Sequence, residues 1–422
     1  MNKKIGNIFK GDKVIWMVFF FLCMISIVEV FSASSNLTYK SQNYMGPIVF
    51  HTVTIILGAV VAVVTLNIPC RYFKLMTPFL LIITVVLLLW VLAAGERTGD
   101  ASRWINIFGL TFQPSEIAKG TIVLATAQIL SAMQRENGAD KKAFKYILCI
   151  VVPIAFLIMV ENLSTAALLC SVVYLMMFIG RVPALQLIKL AGVVIGLALV
   201  GLLLIMAVGN DTNVAVDKAQ TEQVVTAPKE KSKIEKLLHR ADTWKSRIKK
   251  FSNKEEITPD QYDLDKDAQV AHANIAIASS NIVGKGPGNS VERDFLSQAF
   301  SDFIYAIIIE EMGIWGAAFV CLLYIILLFR TATIANRCAN AFPALLIMGI
   351  ALMLTIQAFF NMMVAVGLAP VTGQPLPLIS RGGTSTIMNC IYIGIILSVS
   401  YWAKKKDDAD RKNDVRQALA TA

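Results

Sequence analysis

The sequence has little charge: Asp, Glu, Lys and Arg together make up only 16% of its 422 residues, and there are 3 histidines. Hydrophobic residues make up 56%, which is too apolar for a soluble globular protein and excludes a disordered or fibrous one. The 7 cysteines lie in apolar runs or beside their predicted cytoplasmic ends, so a disulfide framework is excluded and the thiols are predicted to serve packing.

Long apolar runs recur along the chain. They lie near residues 14–33, 47–67, 75–94, 114–133, 144–160, 164–180, 186–209, 303–329, 341–369 and 383–402. One bilayer span takes about 20 apolar residues. The runs therefore predict an all-α polytopic membrane protein with about ten transmembrane helices.

Lys and Arg exceed Asp and Glu by ten, 39 against 29, which in a soluble protein could indicate nucleic-acid binding. Here most basic residues flank the apolar runs. With a cytoplasmic N-terminus, nineteen of them fall in inside segments, whereas the short outside loops hold only four: Lys40, Arg97, Arg103 and Arg381. This bias follows the positive-inside rule, so we predict that both termini are cytoplasmic and expect no nucleic-acid partner. The first run lacks a clear cleavage site and is predicted to be a retained helix.

The runs divide the chain into four parts. Residues 1–209 hold helices one to seven, 210–301 form a large extracytoplasmic segment, 302–403 hold the last three helices, and 404–422 form a cytoplasmic tail. Within the large segment, residues 229–251 have apolar positions on one helix face and mostly basic residues elsewhere, which predicts a helix in the membrane interface. This helix either covers the membrane surface or contacts a phosphate-bearing lipid.

Glycines alternate with other residues in 284–290, where the sequence reads GKGPGNS. Such a segment could present backbone amides to an anion, but taken alone it is more typical of a tight turn.

Ionisable residues inside predicted spans are candidates for function, because each must find a partner or water. Glu29 lies near the outer end of the first span and could reach the interface. Glu116 and Lys119 are three residues apart and share one helix face. They form either a neutralised structural pair, or a site in which Lys119 faces a cavity and binds an anionic substrate group while Glu116 orients it.

Asp302 stands where the eighth span begins, so it could simply be a helix N-cap. Glu310 and Glu311 lie some two turns deeper, where capping cannot explain them, and they predict an acidic, water-filled cavity open to the outside. The turn at 373–385 combines Pro, Gly and hydroxyl residues with Arg381, which could bind a phosphate or a sugar acid.

Four segments carry a resemblance to a known family. They read RWINIFGLTFQPSEIAK (103–119), GKGPGNS (284–290), SDFIYAIIIEEMG (301–313) and GQPLPLISRGGTS (373–385). In this order they resemble the shape, elongation, division and sporulation (SEDS) family over nearly the whole chain. The resemblance implies a multi-pass protein of the cytoplasmic membrane that polymerises lipid II into peptidoglycan glycan strands at the outer face.

The resemblance also implies partners and a cellular role. It implies a lipid-linked nascent glycan as second substrate, a class B penicillin-binding protein that crosslinks the strand, and other divisome proteins. The variant Glu161–Ala166 is similar to the division branch, which implies the division site; the elongation branch is the alternative.

Site residues follow from the matching motifs. Asp302 is implied to be catalytic, and the residues implied to contact substrate are Arg103, Trp104, Glu116, Lys119, Arg247, Ser290, Ser380 and Arg381. The chain departs from the family pattern in three places: Val160–Ala166 replaces a QPDLGTA motif, Leu296–Ser301 lacks the usual Glu and His, and Arg381 replaces a Tyr.

The implied reaction needs a base and cations. Asp302 could accept the proton of the attacking sugar hydroxyl, as a carboxylate does in inverting glycosyl chemistry. Lys119, Arg103, Arg247 and Arg381 could stabilise the leaving pyrophosphate, aided by a divalent cation, Mg or Mn. A lipid II flippase or other transporter fits ten spans and buried charges equally well, and a scaffold that recruits the transpeptidase is a third possibility.

Overall fold

The structure is a computed structural model that describes residues 10–33, 46–94, 96–98, 101–107, 110–136, 138–208, 264–296 and 299–421. The predicted interfacial helix at 229–251 and Arg247 lie outside the described residues.

A long helix stands at every predicted apolar run. These helices are α1 (Lys13–Ala33), α2 (Gly46–Leu66), α3 (Cys70–Ala94), α4 (Pro114–Ala132), α5 (Lys141–Glu161), α6 (Leu163–Ile179), α7 (Ala184–Val208), α9 (Ile304–Ala335), α10 (Ala341–Ala365) and α11 (Thr384–Thr421), with the shorter α8 (Leu264–Ser279) ahead of α9. Eight of them are long and apolar enough to cross a membrane. The other two long helices are α6, which has 17 residues, and α4, which carries Glu116 and Lys119. The prediction of an all-α multi-pass membrane protein is confirmed.

Short strands fill two of the connections. The strands β1 (Glu96–Thr98), β2 (Ala101–Ile107) and β3 (Leu110–Phe112) form an antiparallel sheet, and β4 (Gln134–Arg135) pairs with β5 (Gly138–Ala139). A single residue, Gln113, separates β3 from α4, so the sheet sets where α4 begins. The sequence predicted a plain loop at the first sheet.

The helix α10 lies at the centre of the bundle, where it packs against α4, α6, α9 and α11. By contrast, α7 keeps few buried side chains and presents its apolar surface outward, as expected for a helix facing lipid. The α11 helix packs along α2 and continues to Thr421, so the predicted cytoplasmic tail is helical. All seven cysteines are free thiols, as predicted.

One long helix is broken. Gly313, inside α9, has φ 68° and ψ −169°, which is far from helical geometry and divides α9 into an outer piece (304–312) and a longer piece (314–335). A break of this kind is tolerated in a membrane when other groups satisfy the freed backbone. The outer piece begins beside Asp302.

Candidate functional site

The first part of the site is a buried ion pair on α4. Pro114 occupies the first helical turn, and the Nζ of Lys119 lies 2.9 Å from Oε1 of Glu116. Lys119 also donates to Oε1 of Gln357 on α10 at 2.8 Å and is only 1% exposed. The geometry supports the neutralised pair, and the alternative that Lys119 faces an open cavity is wrong for this conformation.

The second part is the irregular turn at 373–381, which enters the helix bundle. Its carbonyl groups accept hydrogen bonds from four side chains on three helices, α1, α9 and α10: Gln374 from Asn361 (2.8 Å), Pro375 from Gln357 (2.9 Å), Pro377 from Tyr324, and Ile379 from Ser26 (2.6 Å). These donors replace the water that the turn would need elsewhere, so non-helical backbone is stable at this depth.

The third part is Asp302. The outer piece of α9 begins at Ile304 with Phe303 as its N-cap residue, so Asp302 lies one residue outside the capping position and the capping interpretation is wrong. The backbone carbonyl of Asp302 accepts a 2.8 Å hydrogen bond from Nδ2 of Asn361. A Cβ added at Gly373, an exposed residue, would lie 3.8 Å from Oδ2 of Asp302.

Asp302 is therefore just beneath the surface, but it is only 6% exposed. The predicted open water pocket around it is not seen in this conformation, because the turn at 373–381 and α10 cover it.

These three parts form one polar network through α10. Gln357 connects the Glu116–Lys119 pair to the turn, and Asn361, one helical turn further on, connects the turn to Asp302. Both α10 side chains are buried, at 2% and 1% exposure. Buried amides with these partners hold the backbone at Asp302 in one position relative to α4.

Ser380 and Arg381 fasten the turn to the chain that precedes Asp302. The Oγ of Ser380 donates to the carbonyl of Ser301 and accepts from the amide of Leu376 at 2.7 Å. The amide of Arg381 donates to Phe300 O at 2.9 Å, and the guanidinium lies 5.5 Å from the Phe300 ring centroid. Burial lowers the pKa of Arg381 from its ordinary value. Ser380 is thus committed to structure, whereas Arg381 is a half-buried cation within reach of the site.

Glu310, Glu311 and Ser290 do not line an open cavity. Both glutamates are fully buried, and Ser290, 4% exposed, donates its hydroxyl hydrogen to Oε2 of Glu310. The predicted acidic, water-filled cavity is therefore wrong for this structure, and the substrate contact of Ser290 stays a prediction. The residues of the glycine segment bind the two carboxylates instead.

Glu29 does not reach the interface. It is 0% exposed, and among the described residues neither of its carboxyl oxygens has a hydrogen-bond partner. The sequence pattern predicted a side chain near the outer end of α1 but not that neighbouring helices cover it.

Two of the remaining candidates from the sequence lie in the first sheet, and the third is outside the described residues. Trp104 is half-buried in β2, where it pairs with Glu96, and Arg103 precedes it in the strand. Strand β2 packs against α3, α4 and α5, which brings it near the start of α4. Arg247 lies outside the described residues.

Sequence reasoning missed Gln357, Asn361, Tyr324 and Ser26, the donors that hold the turn. A signal was present, because Gln357 and Asn361 are polar residues at i and i+4 in an otherwise apolar helix. That spacing puts both amides on one face but does not reveal which carbonyls they meet.

Fold and site together define an α-helical multi-pass membrane protein with a buried polar network that meets an irregular turn in the bundle. A family model described as cell cycle protein, named for FtsW, RodA and SpoVE, matches residues 12–405. The chain belongs to this family, and the resemblance noted in the sequence is confirmed.

Similar proteins agree with this assignment. The probable peptidoglycan glycosyltransferase FtsW of Coxiella burnetii is 27% identical over 395 residues, 92% of this chain and 95% of that protein. The peptidoglycan glycosyltransferase MrdB of Escherichia coli is 27% identical over 390 residues, 92% of this chain and 93% of that protein.

Solved structures share the fold. A chain from a structure of a peptidoglycan synthase complex that coordinates polymerization and crosslinking has a TM-score of 0.65 at 22% identity, covering 93% of this chain and 98% of that one. RodA of Thermus thermophilus has a TM-score of 0.60 at 21% identity, covering 92% of this chain and 96% of that one.

Proposed function

We propose that this chain is a peptidoglycan glycosyltransferase that polymerises lipid II at the outer face of the cytoplasmic membrane during cell division. Family membership supports the reaction class, since the similar proteins from Coxiella burnetii and Escherichia coli are both named peptidoglycan glycosyltransferases. The observation that carries the proposal is the position of Asp302, a carboxylate beneath an exposed glycine turn and fixed by a network that spans α4, α10 and the turn.

The reaction joins two lipid-linked sugars. The 4-hydroxyl of one sugar attacks C1 of the other, a C–O bond forms there, and the bond from C1 to the lipid pyrophosphate breaks. The hydroxyl must lose its proton as it attacks, and a nearby carboxylate can accept that proton.

Asp302 is the proposed base. Capping does not explain it, and Asn361 holds its backbone in one position. Access of the sugar hydroxyl requires the turn at Gly373 to move aside. Gly367 and Gly373 both have positive φ, 72° and 67°, and bracket the segment that would move.

The pyrophosphate needs positive charge as it leaves. Arg381 is the proposed cation, because it is half-buried and packs on Phe300, two residues before Asp302. Arg103 and Arg247 remain proposals from the resemblance. Lys119 contributes indirectly: it pairs with Glu116 and donates a hydrogen bond that holds Gln357.

A divalent cation, Mg or Mn, also remains a proposal. Among the residues that the structure describes, no group of three or more His, Cys, Asp or Glu side chains could hold a metal ion. The described residues therefore do not fit a dedicated metal site, and no step above depends on one.

The proposed setting follows from the same reasoning. A multi-pass protein with both termini in the cytoplasm would place Asp302 on the outer side, where lipid II and the lipid-linked nascent glycan are used. The fold similarity to a chain of a peptidoglycan synthase complex supports a class B penicillin-binding protein as partner, with other divisome proteins around it. FtsW of Coxiella burnetii and MrdB of Escherichia coli are both 27% identical to this chain, so the proposed division site rests on the Glu161–Ala166 variant.

The test is polymerisation by the purified protein in proteoliposomes, with a class B penicillin-binding protein, lipid II and Mg²⁺ or Mn²⁺. We expect glycan polymer on a gel, and we expect Asp302→Ala to abolish it. Asp294→Ala, which removes an exposed carboxylate from the same segment, is the matched control and should leave polymer unchanged.

Two outcomes would overturn the proposal. Translocation of fluorescent lipid II across the liposome membrane without polymer would indicate the flippase, and neither activity would indicate the scaffold. The division role is tested separately by imaging a fluorescent fusion: a mid-cell ring supports it, and dispersed wall patches indicate the elongation branch.

A further inference from the structure

Residues 284–293, here named the clamp loop, lie against the break in α9. The amide of Lys285 donates to Glu310 O at 2.9 Å, and the amide of Gly286 donates to Glu311 O at 2.8 Å. Because Gly313 interrupts the helical hydrogen bonds just beyond these carbonyls, the loop supplies the donors that the break removes. The clamp loop and the broken helix therefore depend on each other.

The side chains of Glu310 and Glu311 bind the clamp loop a second time. Their carboxylates accept backbone N–H groups from Gly288 (2.9 Å), Ser290 (3.2 Å), Val291 (3.1 Å) and Glu292 (3.4 Å). The Nζ of Lys285 lies 2.6 Å from Oε1 of Glu310 and balances part of the buried charge. Two fully buried carboxylates are thus stabilised by fixed amides instead of water.

Gly284 in the clamp loop and Gly313 in α9 allow the two backbones to touch. A Cβ added at Gly284, where φ is +84°, would lie 2.4 Å from Glu311 O and 2.4 Å from the amide nitrogen of Gly313. Gly288 has the same φ of +84°, but a Cβ added there would meet no described atom within 4 Å. The two positions share the same backbone strain, and only Gly284 is in close contact with α9.

The chain that follows the clamp loop leads to Asp302. The amide of Leu296 donates to Glu292 O at 3.0 Å, and Leu296 is 3% exposed. At the other end of this connection, Phe300 is bound by the amide of Arg381. The segment that precedes Asp302 is therefore held at one end by the two glutamates and at the other by the turn at 373–381.

A further contact joins the clamp loop to α1. The guanidinium of Arg293 donates to Ser32 Oγ at 2.9 Å, and Ser32 in turn donates its hydroxyl hydrogen to Glu311. The same guanidinium donates to Gly288 O at 2.7 Å. The clamp loop is therefore hydrogen-bonded to two helices, α1 and α9.

We infer that Glu310 and Glu311 are positioning residues for the reaction: they bind the clamp loop to the break in α9 and thereby set where Asp302 stands. The inference rests on the proposed function. Neither glutamate touches the reacting atoms, and their effect is transmitted through the segment from Glu292 to Asp302. A misplacement of a catalytic group by about 1 Å can lower a rate about a hundredfold.

The experiment compares Gly284→Ala with Gly288→Ala in the full-length protein in nanodiscs. For Gly284→Ala we expect kcat to fall about a hundredfold with KM little changed. We also expect faster hydrogen exchange at the amides of residues 285–292, because the added methyl group pushes the loop off α9. For Gly288→Ala, which adds the same backbone strain without the clash, we expect smaller changes in kcat and in exchange than for Gly284→Ala, with KM again little changed.

A second variant, Glu310→Gln with Glu311→Gln, tests the carboxylates without adding a clash, and it should lower kcat and speed exchange in the same peptide. Wild-type kcat in a variant whose clamp loop exchanges fast would overturn the positioning role. Unchanged exchange in both variants would overturn the clamp itself. If the wild type makes no polymer, the proposed function fails and the positioning role fails with it, but the exchange comparison still decides whether the glutamates hold the loop.

Discussion

Replacing Lys119 with Met tests whether the buried pair on α4 is structural. In the wild type, Nζ of Lys119 lies 2.9 Å from Glu116 and 2.8 Å from Gln357, and both members of the ion pair are almost fully buried. Lys119→Met leaves the Glu116 carboxylate buried without its cation. Removing one partner of such a pair costs about 3–5 kcal/mol of unfolding free energy.

The double variant Glu116→Gln with Lys119→Met makes the prediction sharper. It removes both charges, and a buried ion pair replaced by uncharged side chains of similar size is often close to neutral in stability. We therefore expect it to be more stable than Lys119→Met alone, with a coupling energy of about 2–3 kcal/mol. The assay is a denaturant titration of the wild type, both single variants and the double variant in mixed micelles.

Additive losses in this cycle would refute the reasoning, because groups that do not interact show no coupling. Polymerisation by the same four proteins separates the two roles considered for Lys119. The structure predicts that the double variant recovers part of the lost activity along with stability, since the bond from Lys119 to Gln357 stays missing. A stable but inactive double variant would show instead that Lys119 contacts the substrate.

Three further predictions concern single residues. Arg330 binds Asp12 through both carboxylate oxygens, at 3.0 and 2.7 Å. Burial raises the pKa of Asp12, but the hydrogen bond and charge of Arg330, together with backbone hydrogen bonds, outweigh this effect. The net shift of the pKa is therefore downward. Asp12→Asn should lower the melting temperature at neutral pH. The difference in melting temperature from the wild type should close as pH falls below about 4, where the wild-type carboxylate protonates and its contribution is lost. Equal melting temperatures at neutral pH would contradict this. Asn361→Ala removes a donor from Asp302 O, so kcat should fall about tenfold or more in steady-state assays; an unchanged kcat would argue against this. Glu29→Met should raise the melting temperature, because it removes a buried carboxyl without a described partner; a lower one would imply an undescribed partner.

Much of the fold could be predicted from hydropathy. A helix that crosses a membrane must be long and apolar, and such helices are visible as apolar runs in the sequence. The ends of α1 and α10 agree with their apolar runs within a few residues. The break at Gly313 could not be predicted in the same way. Apart from Glu310 and Glu311 the apolar pattern continues through Gly313, and the loop that satisfies the freed carbonyls lies some 25 residues earlier in the chain.

The site was predictable as a set of residue types but not as an arrangement. The spacing of Glu116 and Lys119 predicted their contact, whereas the third member, Gln357, comes from a helix 238 positions away. The glycine segment and the Glu310–Glu311 pair were noted separately, the first as a possible anion site and the second as an open acidic cavity. The glycine segment in fact binds the two glutamates, and this contact explains both sequence patterns. Only the packing of the clamp loop on α9 shows it.

The central claim is that Asp302 accepts a proton during glycan polymerisation, and the most direct measurement is the initial rate of lipid II polymerisation by Asp302→Asn. This change keeps the size of the side chain and the backbone bond from Asn361. Loss of a general base predicts a rate about a hundredfold to ten-thousandfold below that of the wild type, with lipid II binding retained. A rate close to that of the wild type would contradict the account.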